Sequence, residues 1–138
     1  MNRTDLKALS RLRQTEAGHL LRAGHPAGAY YLAGYAVECA LKACIAKQTR
    51  RHDFPDKDLA NKAYVHNLEA LVKLAGIEQD FATARAASPA LSVNWAVVKD
   101  WKETSRYVAA RSLTEARDFV SACTARTNGV LPWIRARW

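Results

Sequence analysis

An all-α fold is what the sequence pattern favours, in the form of an antiparallel up-and-down bundle of four to five helices. Apolar residues recur at helical spacing along most of the chain, and no segment shows the alternating pattern of a β-strand. Glycine, proline and polar clusters divide the chain into pieces of helix length. Because 138 residues can build one hydrophobic core, we expect a single domain over residues 4–135 and a basic tail at 136–138.

The first two helices are marked by start and stop signals. Thr4 can cap the first helix, and Gly24 is placed to end it. Pro26 suits the first turn of a second helix, which should run to about Gln48.

The middle of the chain is expected to hold a loop and two short helices. The segment 49–63 is polar and contains Asp53-Phe54-Pro55-Asp56, which is typical of a loop. Short helices are predicted over about His66–Ala75 and Glu78–Ala87, before a break at Ser88-Pro89.

The last third of the chain carries two further helix starts. Asn94 can cap a helix that continues through Trp101. The spacing of Ser112-Leu-Thr-Glu115 fits a capping box, which should open the last long helix. Asn128-Gly129 and Pro132 predict a kink or a stop in that helix.

The net charge of +8 is the clearest global feature of the composition. An excess of lysine and arginine favours partners that carry phosphate or carboxylate groups, although a merely basic surface is the alternative. Basic clusters at Lys47–Arg51 and Arg126–Arg137 favour a polyanion.

Membrane insertion, disulfides and cofactors find no support in the sequence. The longest charge-free run, residues 23–37, is too short for a bilayer, and no leader pattern is present, so a cytoplasmic protein is expected. Cys39 and Cys44 point about 140° apart on a helix, and neither they nor Cys123 show metal-ligand spacing. We expect three buried free thiols, and neither a metal nor a cofactor. The acidic loop of Asp53, Asp56 and Asp58 beside His52 is a poor metal cage.

Two charges interrupt the apolar stretch 28–45. Tyr31, Tyr35, Glu38 and Lys42 follow one another at steps of four or three, so they share one stripe of the second helix. An exposed Glu38–Lys42 pair would contribute a few tenths of a kcal/mol. A helix that is apolar all round lies inside a bundle, where a lone charge is costly, so the spacing leaves open a surface pair or a functional one.

Three pieces of the chain resemble small bacterial and archaeal HEPN-domain proteins, in the expected order. The run 30–43 resembles the characteristic second helix of that family. His66-Asn67-Leu68 followed by Leu71 resembles its H-N/D-L-x-x-L step, and the segment 101–107, from Trp101 to Arg106-Tyr107, resembles its W…RY step. With the Ala-rich last helix, the resemblance covers nearly the whole chain.

The resemblance implies a homodimer with a polar cleft near its axis and work on nucleotides or RNA. Family members act as metal-independent ribonucleases, as toxin components or beside a small nucleotidyltransferase. The residues expected to bind nucleotide or RNA are Tyr31, Tyr35, Glu38, Lys42 and Tyr107. His66 and Arg106 are the candidate catalytic residues.

The resemblance leaves enzymatic activity open. Metal-free RNA cleavage needs a base, a cation and an acid, and nuclease members supply an arginine with a histidine after four to six residues. Arg106 is followed at those positions by Arg111, Ser112 and Leu113. The Arg13–His19 pair has the spacing, but on the first helix. A dimeric binding module is therefore the first hypothesis, an RNA-cleaving toxin the second and a purely structural dimer the third.

Overall fold

The computed structural model describes residues 1–49, 54 and 56–138, which form eight α-helices, one 3₁₀ helix and no strand. The predicted all-α helical bundle is confirmed. The α-helices are α1 (Arg3–Arg22), α2 (Pro26–Lys47), α3 (Lys57–Lys62), α4 (Leu68–Leu74), α5 (Glu78–Ala87), α6 (Pro89–Val98), α7 (Leu113–Thr124) and α8 (Val130–Arg135). The 3₁₀ helix spans Glu103–Tyr107. No helix in the described ranges is both long and apolar enough to cross a bilayer.

Part of the predicted loop is helical. Residues 57–62 form α3, because the Asp56 carboxylate accepts hydrogen bonds from the amides of Asp58 and Leu59 and so caps a new helix. The prediction of a loop over 49–63 was wrong at these positions. Because α3 has no buried residue and no apolar stripe, hydrophobic periodicity did not reveal it. Positions 50–53 and 55 lie outside the described residues, and with them Arg50-Arg51 of one basic cluster and the His52-Asp53 pair.

The first two helices begin and end almost where the sequence predicts. Asn2, rather than Thr4, caps α1: its side chain accepts from the Asp5 amide, and the Asp5 carboxylate accepts from the Asn2 amide, both at 3.0 Å. Gly24 ends α1 with a φ of +82°, which strains any residue that carries a Cβ. Pro26 opens α2 as predicted.

Asn94 does not cap a helix. It lies inside α6 and donates to the Asn128 carbonyl oxygen at 2.8 Å. The cap is Ser88, whose hydroxyl accepts from the Leu91 amide at 3.2 Å, so Ser88-Pro89 is a helix start as well as a break. Trp101 lies beyond the end of α6, in the segment before the 3₁₀ helix.

The predicted interruption of the last helix is a complete break between α7 and α8. Ser112 caps α7 through the Glu115 amide, but the Glu115 carboxylate binds Arg111 rather than returning to the Ser112 amide. Asn128 adopts a φ of +64°, and a Cβ on Gly129 would lie 2.2 Å from the Ala125 carbonyl oxygen. The chain therefore turns sharply at Asn128-Gly129.

The centre of the bundle is α2, which packs against α1, α4, α7, α8 and the 3₁₀ helix. Its alanines at 29, 33, 36, 40 and 43 are buried and let neighbouring backbones approach closely. The Ser10 hydroxyl on α1 donates to the Ala36 carbonyl oxygen at 2.8 Å. An apolar surface on all sides of α2 is what this central position requires.

The three cysteines are free and buried, as predicted. Burial, followed by the nearby Glu38 carboxylate, raises the pKa of Cys39 to about 11. Burial also raises the pKa of Cys44 and of Cys123. All three are thus neutral thiols near pH 7.

The closest approach to α2 is made at Gly34. Trp101 is fully buried, and its indole lies where a Cβ of residue 34 would be, so that a Cβ would sit 2.1 Å from Nε1. Only glycine leaves room for the ring on the helix backbone.

We predict that Gly34→Ala will unfold at markedly lower denaturant concentration, by about 1–3 kcal/mol or more, because the new methyl group must displace the Trp101 ring. Gly18→Ala is the matched control. It also lies within a helix, but its Cβ would meet only the end of the flexible Arg22 side chain, at 3.4 Å. That control should gain about 0.5–1 kcal/mol from helix propensity. Urea unfolding followed by circular dichroism measures both, and equal effects would contradict the packing at Gly34.

Candidate functional site

Glu38 is a buried carboxylate with two cationic or polar partners. Its side chain is 2% exposed, and its Oε1 accepts from Lys42 Nζ at 2.8 Å and from His66 Nδ1 at 2.9 Å. Three of the seven candidate site residues therefore meet, because Lys42 and His66 both bond to Glu38. The two contacts with Oε1 offset part of the free-energy cost of burying the negative charge of Glu38.

His66 is positioned by the residues that follow it. The Asn67 side chain accepts from the Ala70 amide at 2.9 Å and starts α4, while Leu68 and Leu71 are buried against the core that contains α2. The H-N-L-x-x-L pattern therefore combines a groove residue, a helix cap and two anchors. The helix cap and the two leucines place the imidazole at Glu38.

The hydrogen bond to Glu38 also orients the imidazole ring. An ionised carboxylate only accepts, so Nδ1 carries the hydrogen and Nε2 of a neutral ring keeps its lone pair. The His66 side chain is 45% exposed, so the ring that carries Nε2 is accessible to solvent. A carboxylate–imidazole pair of this kind can hold a general base or a hydrogen-bond acceptor in a fixed orientation.

An open groove of about 740 Å³ lies beside this pair. It is lined by Val65, His66, Asn67, Glu69, Lys99, Asp100, Trp101, Lys102 and Glu103. Two lysines face three carboxylates in this lining, so the groove carries both signs of charge. Its size is that of a pocket for a small molecule or a single nucleotide.

Two polar atoms close to the site have no hydrogen-bond partner among the described residues. They are Oε2 of Glu38 and Nε1 of Trp101, both shielded from solvent. Gly34, which the Trp101 ring covers, lies one helical turn before Glu38, so this acceptor and this donor are on the same side of α2. An unsatisfied buried polar group costs about 1–3 kcal/mol, which makes this an unusual region of the core.

The predicted binding tyrosines form a row that ends at Trp101. Tyr31 stacks on Tyr35 and on Trp101, with ring centroids 6.1 Å apart in each case. Both tyrosines are half-buried and pack against the core. Their rings therefore support the wall behind the groove. The guanidinium carbon of Arg13 lies 6.0 Å from the centroid of the Tyr35 ring.

Arg106 and Tyr107 form a separate, exposed pair. The Arg106 guanidinium lies 4.9 Å from the centroid of the Tyr107 ring, which is 75% exposed. Interaction with the Tyr107 hydroxyl, and more weakly with that of Tyr31, raises the pKa of Arg106. Within the part of the chain that the structure describes, no ion pair or hydrogen bond joins Arg106 to Glu38 or His66.

The remaining candidates behave as structural residues. Arg13, half of the formal Arg–His spacing, pairs with Glu16 at 2.6 Å. Over the described ranges, no group of three or more histidine, cysteine, aspartate or glutamate side chains is arranged to hold a metal ion. Sequence reasoning missed Gly34 and Asn67, and only the H-N-L-x-x-L pattern carried a signal for the second. Lys99 and Lys102 in the groove carried no pattern at all.

Comparison of the chain with protein-family models, with curated proteins and with solved structures found no match.

The geometry predicts that replacing Lys42 and replacing Glu38 will lower the stability of the fold by different amounts. Lys42→Met strands the buried Glu38 carboxylate with His66 alone and should cost about 2–4 kcal/mol of stability. Glu38→Gln should cost less, because the Lys42 side chain is 20% exposed and can reach water. Chemical denaturation of both variants at pH 8 measures the difference. The double variant should be more stable than Lys42→Met alone, and the reverse order would contradict a buried charge at Glu38.

Proposed function

We propose that this chain is a HEPN-type module that binds a nucleotide or RNA and acts as a homodimer beside a small nucleotidyltransferase, in a toxin–antitoxin or defence system. The pairing with a nucleotidyltransferase rests on the sequence resemblance alone. The ligand class also rests on geometry. The observation that carries it is the accessible His66 ring, held by the buried Glu38 at the edge of a groove of nucleotide size.

The lining of the groove favours a base or nucleoside over a string of phosphates. Glu69, Asp100 and Glu103 would repel a polyanion that lay along it. Lys99 Nζ already lies 4.0 Å from Glu69 and 3.7 Å from Asp100, so Lys102 rather than Lys99 would neutralise a phosphate group. Carboxylates, amides and an oriented imidazole suit the mixed donors and acceptors of a base edge. The exposed Arg106–Tyr107 pair, which follows the groove residue Glu103 in the 3₁₀ helix, offers a ring and a guanidinium for stacking.

A ribonuclease is the second candidate, because the Glu38–His66 pair is a suitable general base. The cation that must stabilise the phosphorane is less evident, since Arg106 is not part of the groove lining. A binding module is therefore the better-supported proposal.

The exposed face of α6 suits a homodimer interface. Pro89–Val98 contains no charged residue, and Val93 and Val97, one turn apart, are 63% and 42% exposed. Two copies of a chain with net charge +8 repel each other, so they can approach most easily through a neutral, apolar face.

For the ligand, we expect total RNA and tRNA to stay intact with the purified protein, with and without EDTA. A labelled dinucleotide should bind, and His66→Ala should weaken that binding about fivefold through the loss of one hydrogen bond. His19→Ala is the matched control, since His19 is an exposed histidine of α1. Fluorescence anisotropy measures both variants.

Two other outcomes would replace this proposal. Cleavage that survives EDTA and disappears in His66→Ala and Arg106→Ala would identify a ribonuclease. Absence of any binding to nucleotide or RNA at low salt would leave a purely structural helical dimer.

For the interface, we predict that Val93→Glu will convert a dimer into a monomer, because each copy would bury an unpaired carboxylate. Thr83→Glu on α5 adds the same charge at an exposed position and should leave the dimer intact. Sedimentation equilibrium gives the masses. A monomeric wild-type chain, or a dimer in both variants, would show that α6 is not the interface.

A further inference from the structure

A stripe of cations runs along α1, away from the groove residues. Arg3, Lys7 and Arg11 follow one another at intervals of four residues, so they share one face of the helix. None of them lines the groove beside His66.

The two ends of the fold add further cations to this stripe. Three cations lie over the Trp138 ring. Lys7 Nζ is 5.5 Å from the ring centroid, and the guanidinium carbons of Arg11 and Arg135 are 4.9 and 5.4 Å from it. Lys47, at the end of α2, donates to the Arg137 carbonyl oxygen at 3.0 Å. The resulting basic face consists of Arg3, Lys7, Arg11, Lys47, Arg135 and Arg137.

The cations of this face have no acidic partner in the described part of the chain. Among the described residues, no carboxylate forms an ion pair with any of the six cations. Burial and then the charges of Arg3, Arg11 and Lys47 lower the pKa of Lys7, and burial and then Arg11 lower that of Arg135. The like charges are thus close enough to repel one another, and the indole ring of Trp138 offsets part of that repulsion.

Several donors of the face are also unused. Nε of Arg3 and both Nε and Nη2 of Arg135 are shielded from solvent, and none donates to an acceptor in the described part of the chain. Guanidinium groups bind phosphate oxygens through two parallel hydrogen bonds, so a phosphate would satisfy these donors once the Arg3 and Arg135 side chains turn towards solvent.

From this arrangement we propose that the basic face binds the phosphate backbone of single-stranded RNA, at a second site separate from the groove. Cations alone bind a phosphate backbone, whereas the binding energy of a protein interface is concentrated in a few buried anchor residues, often aromatic. Three of these cations cover the Trp138 ring, and the Arg137 guanidinium covers the Trp133 ring at 3.4 Å from its centroid, so neither indole offers a free apolar surface.

The test compares two triple variants that lose the same charge. One is Lys7→Gln/Arg11→Gln/Arg135→Gln on the basic face. The other is Lys57→Gln/Lys73→Gln/Arg117→Gln, three exposed cations of α3, α4 and α7. Affinity for a single-stranded RNA of about 12 nucleotides is measured by anisotropy over a range of salt concentrations.

We expect the basic-face variant to bind about a hundredfold more weakly at about 0.1 M salt, with a slope of log K against log salt shallower by about two. The control variant should keep both the affinity and the slope. Equal losses in the two variants would reveal a general effect of net charge and overturn the proposal, and so would no loss in either.

Two further measurements exclude a folding defect and another kind of partner. Arg11→Lys/Arg135→Lys retains the charges and should retain the slope. If the triple variant does not fold, Lys7→Gln alone should reduce the slope by about 0.7. Polyglutamate should compete poorly with RNA, and competition at equal charge would assign the face to an acidic protein instead and overturn the RNA proposal.

The groove and the basic face can fail independently. His66→Ala should leave the salt slope for the longer RNA unchanged, since His66 is not part of the basic face. If His66→Ala reduced the slope of log K against log salt, the RNA backbone contacts would lie in the groove, and the proposal of a separate site would be wrong.

Discussion

The contact between the Trp101 indole and the backbone of α2 at Gly34 is the constraint on which the site depends. It brings the segment after α6 onto the central helix without a side chain in between. One wall of the groove follows from it, because Lys99, Trp101 and Lys102 belong to that segment. Tyr31 stacks on the Trp101 ring, so the aromatic row and the groove share Trp101.

Burial of Glu38 couples two helices through charge. Lys42 comes from the same helix as Glu38, but His66 precedes α4, so the carboxylate fixes where α4 begins relative to α2. Because removal of either partner would leave a carboxylate in an apolar core, this arrangement is held more firmly than an exposed ion pair. The hydrogen bond to the buried Glu38 carboxylate thereby fixes the orientation of the exposed His66 imidazole.

The mistaken helix starts share one cause. Thr4 and Asn94 have side chains that can cap, but so do Asn2, Ser88 and Asp56, and the chain uses the second set. A polar side chain becomes a cap only where the following residues can pack as a helix, and Asn94 was instead drawn to the Asn128 carbonyl. Capping potential is local, whereas the choice among several caps is made by packing.

Sequence alone determined the all-α class, the boundaries of α2 and the Glu38–Lys42 pair. These are local properties, set by glycine and proline at the helix ends and by a spacing of four residues. Tertiary structure decided what those residues meet. The Glu38–His66 bond joins residues 28 positions apart, and the basic face assembles cations from both ends of the chain around Trp138. Such partners are brought together by packing of the core, and no periodicity in the sequence records which helices will pack side by side.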